Sequence, residues 1–176
     1  APTEIYTLSL HDALPISGIV LAEAAILDDK NAVQTQSYGP EARGGASKAE
    51  VVISDTDIDY PKATDPDYLL ALTQESYRIY GKLMGKGLIV VDSSVELLDD
   101  IKARTVRIPI LRTAAEDIGK RVVANIVALG ALAGVSGIVD LPTLEHAVKN
   151  RVPKGTEELN LKALRKGFEL ALSAKA

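Results

Sequence analysis

Cysteine and tryptophan are absent from this 176-residue chain, and histidine occurs only twice, as His11 and His146. Without cysteine there is no disulfide, no thiolate nucleophile and no iron–sulfur cluster held by the usual thiolates. Two histidines without cysteine also exclude the common zinc sites, so no metal ligands are expected. One phenylalanine and six tyrosines leave little for a base-stacking platform. Positive charge is short as well. Lys plus Arg number 20 against 24 Asp plus Glu, a net charge of −4, opposite to the basic stripe of a nucleic-acid binder. Long apolar runs are missing too: Val122 to Val139 is interrupted by Asn125, Ser136 and glycines and reads as a buried helix, not a membrane span. The first residues carry neither the basic head nor the small-residue cleavage site of a secretory signal. The expectation is a cytoplasmic enzyme or enzyme subunit with no nucleic-acid or membrane partner, bringing little metal or redox chemistry of its own.

What is present suits one globular domain, with 47% hydrophobic and 25% charged residues. Gly18 to Leu27 (GIVLAEAAIL) is Ala-rich and apolar on most faces, which predicts a buried helix. Asn31 to Thr35 and Ala49 to Ser54 read as strands, separated by a Gly- and Pro-marked loop over Ser37 to Ser47. Tyr68 to Leu72 reads as a strand feeding a helix through Thr73 and Gln74. Leu88 to Asp92 (LIVVD) reads as a strand buried on both faces of a parallel sheet. Tyr68 to Asp92 is then a β-α-β unit with a right-handed crossover. Val106 to Ile110 is a further strand that Pro109 puts near an edge or a strand end. Helices are expected over Ala114 to Leu132, Pro142 to Asn150 and Glu157 to Ala174. The fold class is α/β: a three-layer αβα domain with a mainly parallel sheet and a helical C-terminal part.

The N-terminus stands apart. Tyr6 to Ile16, YTLSLHDALPI, resembles the in-frame translation of a common short-read sequencing adapter. Residues 1–17 are therefore read as a foreign segment and residues 18–176 as the domain. The alternative is a native strand over Thr7 to Leu10 with a turn at His11-Asp12. If a first strand were missing, Leu8 and Leu10 would be placed to fill part of its gap.

One dense motif remains, Tyr38 to Gly45, YGPEARGG. Pro40 stiffens the loop entry, while Gly44 and Gly45 permit positive φ and close approach of backbone N–H groups, the geometry of an anion-binding nest. Arg43 adds a permanently charged fork suited to carboxylate or phosphate, which Glu41 could orient. The same residues also suit an ordinary tight loop with a solvated arginine. Elsewhere, Asp92 ends a parallel strand where open α/β sheets place ligands, although strand-end aspartates also cap loops. Asn125 lies in an apolar helix, where a buried amide must either cap a neighbouring loop or touch a ligand. His146 and the Asp99-Asp100 pair read as solvated.

YGPEARGG with the following Ala46 to Asp55 (ASKAEVVISD) resembles the gamma subunit of 2-oxoacid:ferredoxin oxidoreductases. The resemblance continues through Tyr60-Pro61, Asp67 to Leu72, Gly87 to Asp92 and Ala124 to Ala131. Family members usually open with a strand and a glycine-rich GxGGQG loop, and here the adapter-like segment stands in that place. The resemblance implies a subunit, inactive alone, that supports conversion of a 2-oxoacid and coenzyme A to an acyl-CoA and carbon dioxide. Thiamine diphosphate and iron–sulfur clusters would sit on partner alpha, beta and ferredoxin-like subunits, with ferredoxin as electron acceptor. 2-Oxoglutarate is the first choice of substrate, ahead of branched-chain 2-oxoacids and pyruvate. Tyr38, Gly39, Pro40, Glu41, Arg43, Gly44 and Gly45 would face the active site or coenzyme A, with Asp92 and Asn125 as minor candidates and no catalytic proton-transfer residue. The alternative is a stand-alone nucleotide- or anion-binding α/β module.

Overall fold

The computed structural model describes residues 3–9, 14–37 and 47–175. Among them a six-stranded sheet runs β2-β3-β1-β4-β5-β6, built from β1 (Thr3–Ser9), β2 (Asn31–Ser37), β3 (Ser47–Ser54), β4 (Tyr68–Ala71), β5 (Leu88–Asp92) and β6 (Arg104–Ile108). β1, β4, β5 and β6 are mutually parallel, and β3 runs antiparallel between β1 and β2. β4 and β5 flank α2 (Gln74–Tyr80), the β-α-β unit expected from the sequence. Thr73 caps α2, its hydroxyl accepting from the Ser76 N–H at 3.2 Å. Four residues of the adapter-like peptide, Tyr6 to Ser9, thus pair at the sheet centre together with the preceding Thr3 to Ile5, in a strand that starts earlier than Thr7. The turn proposed at His11-Asp12 lies outside the described residues.

Strand alternation divides the apolar residues between two faces. Val51, Ile53, Leu70, Val90 and Ile108 face a core formed with α1 (Leu14–Leu27), α4 (Ala124–Ser136), α5 (Leu141–Arg151) and α6 (Glu157–Lys175). Val52, Leu69, Ala71, Ile89 and Val91 face a smaller core with Tyr77, Met84, Val95 and Ile101. The three-layer expectation holds. α4 and α6 pack so closely that a Cβ at Gly130 would fall on the Leu164 carbonyl, and one at Gly167 on the Val127 carbonyl. α5 starts at the Asp140 cap, whose Oδ1 accepts from the Thr143 N–H at 2.8 Å, with Pro142 in the first turn.

Two boundaries differ from the sequence reading. Strand β6 ends at Ile108, because Pro109 leads into the short helix α3 (Ile110–Arg112). The single helix expected over Ala114 to Leu132 is broken. A wide turn over Thr113–Asp117 closes with Ile118 N–H on the Thr113 carbonyl at 3.0 Å, and Gly119 at φ 78° reverses the chain. A tight turn over Arg121–Val123 then opens α4. No helix of the described residues is long and apolar enough to cross a membrane.

Candidate functional site at the carboxyl edge of the sheet

The parallel strands end together, at Ser9, Ala71, Asp92 and Ile108. Because β3 is antiparallel, the end of β2 and the start of β3 meet them: Ser47 pairs with Ser9, and Lys48 with Ser37. The two anchors of the YGPEARGG segment therefore lie at the carboxyl edge, where open α/β sheets hold ligands. Tyr38, Gly39, Pro40, Glu41, Arg43, Gly44 and Gly45 themselves lie outside the described residues.

Asp92 reaches this edge, but its carboxylate is committed to neutral donors. It is 2% exposed. Oδ1 accepts from the Ser94 N–H at 2.9 Å and the Ser94 hydroxyl at 2.6 Å, and Oδ2 accepts from the Leu111 N–H at 2.8 Å. Arg107 donates to the Ser93 carbonyl beside it. Of the two roles open to Asp92, the geometry displays the cap: it clips the turn after β5 to the start of α3. Gln74 makes a similar clip, donating to the Glu96 carbonyl at 3.0 Å and accepting from the Glu96 N–H at 2.7 Å.

Asn125 is not the mid-helix buried amide that the sequence implied. The interruption of the helix at Gly119 moves it to the first turn of α4, where it is half-buried. Its Oδ1 accepts from the Ile126 N–H at 3.0 Å, and its backbone carbonyl accepts from the Ser17 hydroxyl of α1 at 3.2 Å. This contact ties the beginnings of α1 and α4 together at the same edge. His146, Asp99 and Asp100 are exposed, as expected.

A polar cluster that the sequence reading passed over follows the loop directly. Glu50 is only 6% exposed, pairs with Lys48 and accepts from the Thr35 hydroxyl at 3.2 Å. The Lys48 ammonium lies 5.9 Å from the centre of the Tyr80 ring, a cation–π distance. The available signal was a Lys and a Glu two apart at the start of the strand, which puts both side chains on one face.

Two grooves flank the start of α4. One of about 400 Å³ is lined by Leu111, Arg112, Ala115, Glu116, Arg121 and Ala124. The other, about 250 Å³ and largely apolar, includes Ile16, Val122, Asn125, Val152 and Leu159. The displaced ionisable groups lie away from both. A Lys82 hydrogen bond lowers the pKa of Asp100, the Thr143 bonds lower that of Asp140, and Arg165 lowers that of Glu145, which in turn raises that of Arg165.

An open α/β domain with helices packed on a mixed, mainly parallel sheet is the class of protein the fold defines. The chain belongs to the pyruvate ferredoxin/flavodoxin oxidoreductase family, whose family model matches residues 16–170. It is 50% identical over 166 residues to the 2-oxoglutarate synthase subunit KorC of Methanothermobacter thermautotrophicus, covering 89% of this chain and 88% of that one. The corresponding subunit of Methanocaldococcus jannaschii is 48% identical over 161 residues, with 89% and 86% covered. Among solved structures, the gamma subunit of a keto/oxoacid ferredoxin oxidoreductase from Geobacter sulfurreducens superposes with a TM-score of 0.90 at 45% identity, covering 99% and 98% of the two chains.

Proposed function

We propose that this chain is the gamma-type subunit of a cytoplasmic 2-oxoacid:ferredoxin oxidoreductase acting on 2-oxoglutarate. The observation that carries the reading is identity near one half, along most of the chain, to subunits named for 2-oxoglutarate synthase. The reaction joins the acyl group of the 2-oxoacid to coenzyme A, releases carbon dioxide and passes the electrons to ferredoxin. When bound, thiamine diphosphate supplies the carbanion chemistry, and in this reading it sits with the iron–sulfur clusters on partner subunits. The absence of cysteine from this chain agrees with that division.

This chain then supplies binding and shape. Arg43 holds an anionic group of coenzyme A or the 2-oxoacid, Gly44 and Gly45 let the backbone approach it, and Tyr38, Gly39, Pro40 and Glu41 fix the loop. Asp92 and Asn125 act from behind, Asp92 through its clip to α3 and Asn125 through its link to α1. Residues 1–17 are a foreign segment that takes the place of the family's first strand and glycine-rich loop. The test is purification of the chain from cells that also express alpha and beta subunits, followed by comparison of three 2-oxoacids. Co-purification with thiamine diphosphate and iron, and kcat/KM highest for 2-oxoglutarate, is expected. A higher kcat/KM for pyruvate or a branched-chain 2-oxoacid refutes the substrate, and a chain that purifies alone refutes the subunit role.

A further inference from the structure

Burying a carboxylate is costly, and replacing a buried ion pair by apolar side chains of similar size often leaves a fold as stable as before. Glu50 is nevertheless only 6% exposed on β3, on the face that Val52 continues into the smaller core. An apolar side chain at position 50 would extend that core, so stability does not account for the charge. Its partners point elsewhere. Thr35 stands directly opposite on β2 and donates its hydroxyl to Glu50 Oε2 at 3.2 Å. Lys48, two residues nearer the carboxyl edge on β3, pairs with Oε1. The Lys48 ammonium also lies over the Tyr80 ring at the end of α2, 5.9 Å from its centre. β2 and β3 are the strands that residues 38–46 leave and rejoin, and Ser37 with Lys48 is the last pair of their ladder. One carboxylate therefore ties both stems together and, through Lys48, fastens them to the helix of the neighbouring β-α-β unit.

We propose that Glu50 is a positioning residue for the 2-oxoacid reaction, acting through Thr35 and Lys48 on the two strands that present Arg43. The proposal deepens the reading of Arg43 as the holder of an anionic group and rests on it. Lys48 is not itself the anion site, because its charge is matched by Glu50 and its ammonium lies over Tyr80. A directional tie is needed at this place. The stems end at the sheet edge, and misplacing a binding group by about 1 Å can cost about a hundredfold in rate.

The test uses the complex with alpha and beta subunits and measures kcat and KM for coenzyme A and 2-oxoglutarate, with melting curves of each variant. Glu50→Gln keeps an oxygen for Thr35 and removes the charge that holds Lys48, while Lys48→Met removes the cation. Each is expected to raise, by about fivefold or more, whichever KM Arg43→Ala raises, with kcat within about twofold. Lys48→Arg keeps a cation beside the carboxylate and over the ring, and holds KM within about twofold of wild type. Coupling decides the matter. In an Arg43→Ala background, Glu50→Gln changes KM by less than about twofold, because the group it positions is gone. If Glu50→Gln fails to fold, Thr35→Val, which removes one hydroxyl from a half-buried position, takes its place in the cycle. A lowered melting temperature with both KM values unchanged is a structural role alone and overturns the proposal. An equal rise in KM with and without Arg43 also overturns it, since Glu50 then acts without the arginine. Both results leave the Arg43 reading intact if Arg43→Ala raises KM by itself. Arg43→Ala with wild-type kinetics removes that reading and the positioning role together.

Discussion

At the scale of single residues, Asp92 illustrates a carboxylate whose place in the fold is fixed by three neutral donors. Replacing it with alanine leaves the Ser94 and Leu111 N–H groups without their acceptor in a part-buried turn, a loss of about 1–2 kcal/mol. Thermal melting is expected to fall by about 5 °C, with Asp92→Asn losing less because one carbonyl oxygen remains. An unchanged midpoint would remove the clip from the account. Arg43 is expected to behave differently. In the assembled complex Arg43→Ala should raise the apparent KM for coenzyme A or the 2-oxoacid by about tenfold, the loss of one charge-assisted contact. Stability should be unaffected, and unchanged kinetics would take Arg43 out of the site. The carboxylates of the helical layer give a pH signature. Asp140 and Glu145 have lowered pKa values through Thr143 and Arg165, so their stabilising contribution is present above the unfolded values and lost as pH falls through the folded ones. The melting temperature should therefore hold near neutral pH and drop below about pH 4. Glu145→Gln should flatten that drop, which acid melting curves would reveal.

At the scale of elements, legibility followed local physics. β5 was read to the residue because LIVVD is a continuous apolar run that only a strand buried on both faces explains. α5 was legible from Pro142 in its first turn, and α2 from Thr73 and Gln74, while the Asp140 cap came only with the structure. β6 was misplaced because it lies at the sheet edge, where Arg104 and Arg107 face water and blur the alternation. The helix over Ala114 to Leu132 was overextended for the opposite reason. Alanine and apolar residues run across the break, and only Gly119, with its positive φ, marks the place where the chain turns. That one error also put Asn125 in mid-helix. The tight α4–α6 pairing was not legible, since a glycine's use in close packing depends on what stands opposite. Gly130→Ala or Gly167→Ala must push a backbone carbonyl aside, and each is expected to cost about 1–3 kcal/mol in thermal or denaturant unfolding. Gly85→Ala, with open space around its Cβ, is the matched control and should be neutral. Equal effects at all three would contradict the close-packing account.

At the scale of the whole molecule, the sheet order explains why a distant set of residues shares one edge. An antiparallel β3 between β1 and β2 returns the chain so that the YGPEARGG anchors meet the ends of four parallel strands. The motif carries the resemblance to the family, which the family model over residues 16–170 shows. That its two anchors, Ser37 and Ser47, lie at that edge was not legible, because strand order is set by tertiary pairing and not by the local pattern. Nor was the exposure of Val122, which follows from the break before α4. The most direct measurement is the rate of coenzyme A-dependent viologen reduction by 2-oxoglutarate, with alpha and beta subunits expressed with and without this chain. The chain is assayed as it stands and with a family-like strand and glycine-rich loop restored before Gly18. Turnover that requires the chain, and that rises with the restored start, is the predicted result. Equal turnover with and without it, in both forms, would contradict the account.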